Sequence, residues 1–205
     1  ILNNIDGAYV IILQTFNNTY VFKDKYGLRP CTIAYNHNSI HITSESCILN
    51  NYNNYNIINI LPNTIYYINN NDLQINIIYQ NKYNYKQCIF EYLYFLNINT
   101  INNDISIIDF RKNIGKQLAL QISNTNSELF NKFKSNNTII CGVPKSGLLY
   151  AQGFSDYTNI LYQQFLDLKK NKNNENTNHE RTFILNTHEK RINACKNKYE
   201  INIDI

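Results

Sequence analysis

Apolar residues change rhythm once along the chain. From residue 8 to residue 80 they come in short runs rich in β-branched side chains, separated by Asn-rich punctuation. Ala8-Tyr9-Val10-Ile11-Ile12-Leu13 reads as a buried strand, and Thr19-Tyr20-Val21-Phe22 follows it after the turn-like pair Asn17-Asn18. Thr32-Ile33-Ala34-Tyr35 and Ile40-His41-Ile42-Thr43 predict a second strand pair. Ile65-Tyr66-Tyr67-Ile68 and Leu73-Gln74-Ile75-Asn76-Ile77 predict a third, joined by Asn69-Asn70-Asn71-Asp72. Hairpins in series imply antiparallel sheet. The Asn/Tyr tract from 51 to 59 reads as a solvated loop or a tolerated insertion.

After about residue 85 the period lengthens. Ile107, Phe110, Ile114, Leu118 and Ile122 recur at spacings of three and four, so they share one helical face. The spacing predicts a helix over 106–122, with Asp104 as its N-cap. A short helix is expected through Glu128 to Phe133. Thr138-Ile139-Ile140-Cys141-Gly142-Val143 is an apolar strand, Pro144 to Gly147 a turn, Leu148-Leu149-Tyr150-Ala151 a helix start, and Ile160-Leu161-Tyr162 a further strand. That order predicts a βαβ arrangement with a parallel sheet. Two regions of different character thus meet near residues 81–88. Residues 169–181 are polar and aperiodic, and read as a long mobile loop.

Composition narrows the classes. Over 205 residues, 43% hydrophobic and 13% aromatic content exclude a disordered chain. Collagen-like and Gly/Pro low-complexity chains are excluded too. No stretch reaches the roughly 18 apolar residues of a membrane helix. Ile1 to Asp6 carries neither a basic n-region nor an apolar h-region. Met 0 means that no initiator is present, so the chain reads as processed or as a piece of something longer. The 39 Asn, 32 Ile and 17 Tyr point to AT-rich codons. A net charge of +4, from 15 Lys against 4 Arg, follows the same bias and leaves no nucleic-acid footprint. Five cysteines, Cys31, Cys47, Cys88, Cys141 and Cys195, form no CxxC. They read as reduced, mostly buried thiols of a cytosolic protein.

Two groups carry candidate chemistry. Val143-Pro144-Lys145-Ser146-Gly147 stands between a strand and a helix start, where backbone N–H groups and the helix dipole favour an anion. Ser146 adds a hydroxyl, and Gly147 lets a phosphate approach the backbone. The same residues also suit an ordinary βα turn, and the spaced glycines of a Walker loop are missing. Arg181-Thr182-Phe183, with Lys169, Lys170 and Arg191, is a cationic group near the polar loop. Arginine suits phosphate through bidentate geometry, although such runs are commonly solvated surface. Glu45, between Ser44 and Ser46, is an acid–base candidate or a strand-end cap. His37, His41, His179 and His188 show no ligand spacing, and no Ser/His/Asp set is legible.

Four stretches together resemble the amidophosphoribosyltransferase family. Gly7-Ala8-Tyr9 precedes Asp24-Lys25-Tyr26-Gly27-Leu28-Arg29-Pro30, where the family has a pattern like D-P-N-G-I-R-P-L. Ser44-Glu45-Ser46-Cys47 is similar to its S-E-S. Cys88-Ile89-Phe90-Glu91-Tyr92-Leu93-Tyr94-Phe95 is similar to C-x-F-E-Y-x-Y-F, and Ile105-Ser106-Ile107 with Arg111 matches its sequel. Val143 to Gly147 and Arg181-Thr182-Phe183-Ile184 match V-P-D-S-G and R-T-F-I. Order and spacing agree over nearly the whole chain.

The resemblance implies a mixed α+β and α/β architecture. Residues 1–84 would be the C-terminal half of an Ntn-hydrolase glutaminase sandwich. Residues 85–205 would be the start of a type I phosphoribosyltransferase parallel sheet. It implies a cytoplasmic homo-oligomer that takes glutamine and phosphoribosyl pyrophosphate with Mg2+, and binds neither nucleic acid nor membrane. An N-terminal Cys releases ammonia from glutamine, and the ammonia displaces pyrophosphate to give phosphoribosylamine. Val143 to Gly147 would be the pyrophosphate loop. Lys169, Lys170, Arg181, Thr182, Phe183 and Arg191 would lie on a flexible loop that closes over substrate. Cys88 matches a position that carries a [4Fe-4S] ligand in some members; others keep that Cys without a cluster, and the remaining ligands would lie beyond residue 205. Lys145 stands where the family has Asp, and an Asn-rich run replaces the cationic stretch before Arg181. The nucleophilic Cys and the acidic phosphoribosyl loop are not within the chain, so it is expected to catalyse nothing by itself. The other readings are a noncatalytic homologue serving as an interaction subunit and a glutamine-dependent sugar-phosphate aminotransferase.

Overall fold

A computed structural model describes residues 2, 4–49, 54–135, 137–169 and 182–202. They fall into two compact units, Ile1–Phe110 and Arg111–Ile205. The division lies within a helix, and residues 85–110 cluster with the first unit.

The first unit is built from the predicted hairpins. Strands β1 (Val10–Gln14), β2 (Asn18–Lys23), β6 (Thr64–Asn69) and β7 (Ile75–Gln80) form one sheet in the order β1-β2-β6-β7. Every neighbouring pair is antiparallel. Strands β4 (Ile40–Thr43), β3 (Thr32–Tyr35) and β5 (Asn56–Asn59) form a second antiparallel sheet in that order. Along β6, buried and half-buried positions alternate, as a period of two demands when one face is covered. Val21, Ile33, Tyr66 and Ile68, from both sheets, enclose a common core with Cys31 and Ile60. Each buried aliphatic side chain of this kind contributes about 1.5–3 kcal/mol.

The strand β5 corrects one expectation. The Asn/Tyr tract was expected to be a loop over 51–59, but Ile57 and Ile58 pair with Ala34 and Ile33. Two adjacent β-branched residues suffice to make an edge strand inside an otherwise polar run.

Residues 97–107 add a small hairpin. Strands β8 (Ile101–Asn102) and β9 (Ile105–Ser106) are joined by Asn103 and Asp104, with φ of 48° and 62°. Two successive positive φ values in a two-residue loop make a type I′ turn, which favours Asn and Asp. Asp104 is therefore a turn residue and not the expected N-cap. Ser106 does that work, its Oγ accepting from the Asp109 N–H at 3.3 Å. Helix α1 then runs Ile107–Thr125, a turn longer at its end than its apolar spacing predicted. Tyr92, Leu96 and Ile107, with Phe110 against them, form a second small core.

The second unit contains the rest of α1, α2 (Ser127–Ser135), α3 (Gly147–Thr158), α4 (His188–Lys198) and the antiparallel strands β10 (Leu166–Leu168) and β11 (Tyr199–Ile201). The expected parallel pairing appears as a single bridge, Ile140 with Tyr162. The Ile140 N–H donates to the Leu161 carbonyl at 2.9 Å, and the Gln163 N–H donates to the Ile140 carbonyl at 3.0 Å. Helices α1 and α3 approach through glycine. A Cβ on Gly115 would lie 1.9 Å from the Tyr150 carbonyl oxygen, and one on Gly153 1.9 Å from that of Lys112. No helix among the described residues is long and apolar enough to cross a membrane.

Candidate functional site

The loop 143–147 lies directly on the N-terminal end of α3. Its sharp turn depends on Gly142, where a Cβ would come within 2.7 Å of the Leu148 Cα. Gly147 is under less pressure, since a Cβ there would meet Val143 at an ordinary 3.5 Å. The Gly147 N–H donates to the Val143 carbonyl at 2.8 Å and closes the turn. The Pro144–Lys145 peptide is cis. Ser146 makes no side-chain cap on α3, so its hydroxyl is not committed to the helix end. Val143, Lys145 and Ser146 are exposed. The result is an open strand-to-helix corner with a hydroxyl, an ammonium and a helix N-terminus on it, chemistry that suits an anion.

Behind the loop lies a contact that the sequence reading did not anticipate. The Gln164 side-chain amide holds the Gly142 backbone twice. Its Oε1 accepts from the Gly142 N–H at 3.2 Å, and its Nε2 donates to the Gly142 carbonyl at 2.8 Å. The Tyr162 hydroxyl donates to the same Oε1 at 2.9 Å, and Nε2 also donates to the Leu166 carbonyl. A polar pair, Gln163-Gln164, at the end of an apolar strand was the only signal in the sequence.

Of the other predicted residues, those described have partners elsewhere. The Lys169 ammonium donates to the Lys196 carbonyl at 2.8 Å, in the last turn of α4, where a cation is favoured. The Arg191 Nε donates to the Leu185 carbonyl at 2.7 Å. Thr182 and Phe183 form the short turn Thr182–Ile184 ahead of α4. Lys170 and Arg181 lie outside the described residues.

The Glu45 side chain is tied to residues far along the chain. Its carboxylate accepts from the Asn97 N–H at 2.7 Å and the Thr100 hydroxyl at 2.6 Å. Ser46 Oγ beside it accepts from the Ile101 N–H and donates to the Ile101 carbonyl. The Ser44-Glu45-Ser46 motif is thus a latch on residues 97–101. Arg29 and Glu91, also from the family-like stretches, form an ion pair in which the Glu91 side chain is only 8% exposed.

Cys88 opens the turn that carries Glu91, whose N–H donates to the Cys88 carbonyl at 3.0 Å. All five cysteines are free. A cubane cluster takes four thiolates. Cys88 brings one, and among the described residues no three His, Cys, Asp or Glu side chains gather to hold a metal. Within this chain Cys88 could supply one ligand of such a set.

No protein-family model matches the chain. Among curated proteins it is 26% identical over 179 residues to an amidophosphoribosyltransferase of Methanocaldococcus jannaschii, covering 80% of this chain and 36% of that protein. It is 28% identical over 171 residues to the Bacillus subtilis amidophosphoribosyltransferase, covering 83% of this chain and 33% of that protein. This chain is a relative of the amidophosphoribosyltransferases. It spans about a third of the length of these curated relatives. The fold agrees as well. The solved glutamine phosphoribosylpyrophosphate amidotransferase of B. subtilis, complexed with ADP and GMP, superposes with a TM-score of 0.70 at 24% identity. That match covers 98% of this chain and 40% of the amidotransferase chain. The amidophosphoribosyltransferase resemblance read from four short motifs therefore holds for sequence and fold together.

Proposed function

We propose that these residues belong to a protein that transfers glutamine-derived ammonia to phosphoribosyl pyrophosphate, as the first step of purine synthesis. In this reading water and glutamine give glutamate and ammonia. The ammonia nitrogen then bonds to the anomeric carbon as the carbon–oxygen bond to pyrophosphate breaks. Residues 1–84 belong to the glutaminase part and residues 85–205 to the phosphoribosyltransferase part. The protein works as a homo-oligomer in the cytoplasm. Val143 to Gly147 bind the pyrophosphate group, and the segment that carries Lys169, Lys170, Arg181, Thr182, Phe183 and Arg191 closes over the substrate.

The carrying observation is the open corner at 143–147, with Ser146 uncommitted to capping and Lys145 exposed. None of residues 143–147 is a carboxylate, and Mg2+ would arrive held by the substrate's own phosphates. The chain's residues orient the pyrophosphate and supply positive potential as it leaves. The test is glutamine-dependent release of pyrophosphate from phosphoribosyl pyrophosphate by the full protein, with direct titration of magnesium pyrophosphate. Turnover with saturable pyrophosphate binding supports the reading; absence of both ends it.

One observation favours a second reading, a noncatalytic homologue. Lys145 replaces the family's Asp, and the run before Arg181 is Asn-rich where the family is cationic. Pyrophosphate binding without turnover would favour this reading.

A further inference from the structure

We infer that Gln164 is the positioning residue of the 143–147 loop, and that its amide sets the affinity of that loop for a pyrophosphate group. The inference rests on the phosphate-loop reading above.

The parallel pairing here is minimal. After the bridge between Ile140 and Tyr162, the next rungs of a parallel ladder would engage the N–H and carbonyl of Gly142. Both groups are instead taken by one side chain, Gln164, through Oε1 and Nε2. A primary amide carries the same donor and acceptor as a peptide group, so it can stand in for a strand at its end. It does so at the residue immediately before the loop, whose other flank presses on Leu148 at the start of α3. Gly142 is therefore fixed from two sides, by packing against α3 and by the Gln164 amide. The loop's direction follows from that residue. The amide is itself oriented by the Tyr162 hydroxyl and the Leu166 carbonyl. The chemistry needs both ends of the amide: an acceptor for the N–H and a donor for the carbonyl. A carboxylate offers only acceptors until it is protonated.

The test compares three variants with the wild type in the full protein, titrating magnesium pyrophosphate across pH. Gln164→Leu removes both bonds, and binding is expected to weaken by about tenfold or more, the scale of loss from a misaimed site. Gln164→Glu keeps the acceptor but sets a carboxylate against two carbonyls. Its deficit relative to wild type at the same pH should shrink as pH falls and the carboxyl gains a proton to donate. Gln164→Leu should show no such recovery. Ser155→Ala removes the hydroxyl that donates to the Ile160 carbonyl at the far end of α3. It should lower Tm and leave affinity unchanged. Wild-type affinity in Gln164→Leu, or equal losses at every pH in Gln164→Leu and Gln164→Glu, overturns the positioning role alone. Failure of the wild type to bind magnesium pyrophosphate overturns the phosphate-loop reading, and this inference with it.

Discussion

The two units are held together by different physics. The first hides its stability in side chains. Val21, Ile33 and Ile60 are fully buried between two sheets, and Thr64 and Asp24 are buried with them. The second has little of this. Helices α2 and α4 bury no residue at all, and Ala119 and Ile160 are its only buried hydrophobic residues among those described. What it has is backbone laid against backbone at Gly115 and Gly153, and a side-chain amide in the place of a strand. A unit built on side chains should lose stability when a side chain is shortened. A unit built on close backbone approach should lose it when a side chain is added.

The sharpest test of that contrast is a truncation in each unit. Ile33→Ala empties the middle of the first core and should cost about 4 kcal/mol, the usual scale for a buried aliphatic truncation. Leu129→Ala on α2, where the side chain is 39% exposed, should cost under about 1 kcal/mol. Urea denaturation of both variants reads the difference, and equal losses would break the comparison. The converse change comes next. Gly153→Ala puts a methyl where the Lys112 carbonyl stands and should cost about 3 kcal/mol, because neither helix backbone can yield without moving the other. If it proves neutral, α1 and α3 are not locked as the glycines suggest.

Polar contacts separate the units in the same way. Asp24 is 1% exposed, and its carboxylate accepts from the N–H groups of Tyr26, Leu28 and Tyr9. Asp24→Ala leaves those donors without it inside the fold and should cost about 2–3 kcal/mol in the same denaturation assay. This residue belongs to the family-like stretch Asp24 to Pro30, so part of that motif's chemistry is turn architecture.

The cysteines give a pH contrast. Burial pushes the Cys31 thiol up to about 11, from an ordinary value of 9.0. The folded state therefore holds its proton more tightly than the unfolded chain. The resulting stability is complete below pH 9 and is lost as pH rises towards about 11, a loss of about 2 kcal/mol. Denaturation at pH 8.5 and pH 10.5 checks it, with Cys31→Ala flattening the difference. Exposed Cys195 should be alkylated in the folded protein while Cys31 is not.

These tests also bear on what the sequence could tell. Hairpins were legible because one covered face forces an alternation of two, as along β6. The motif at 143–147 was legible because glycine and proline mark a corner wherever it falls. The latch of Glu45 and Ser46 on residues 97–101 was not, because its partners lie more than fifty positions away and accept or donate through backbone. Asp104 misled for a related reason. Asp serves equally as a cap or in a left-handed turn, and only its φ of 62° tells which. Gln164 was hidden most completely, since a glutamine acting as backbone has no spacing to betray it.

The smallest expected effect concerns Lys145, and it has two signs. The residue stands exposed at the start of α3, where the helix dipole disfavours a cation. Lys145→Asp, the residue of the related family, should therefore stabilise the protein slightly, by about 0.5 kcal/mol. The same change removes a positive charge from the corner and adds a negative one. Affinity for magnesium pyrophosphate should fall by about threefold to tenfold at low salt, and the gap should narrow as salt screens the exposed charge. Calorimetry at two ionic strengths, beside a thermal melt, reads both. Opposite signs mean that Lys145 is kept for the anion at the expense of the helix. A gain in both stability and affinity would mean that the family's Asp does something at this corner which a cation cannot replace.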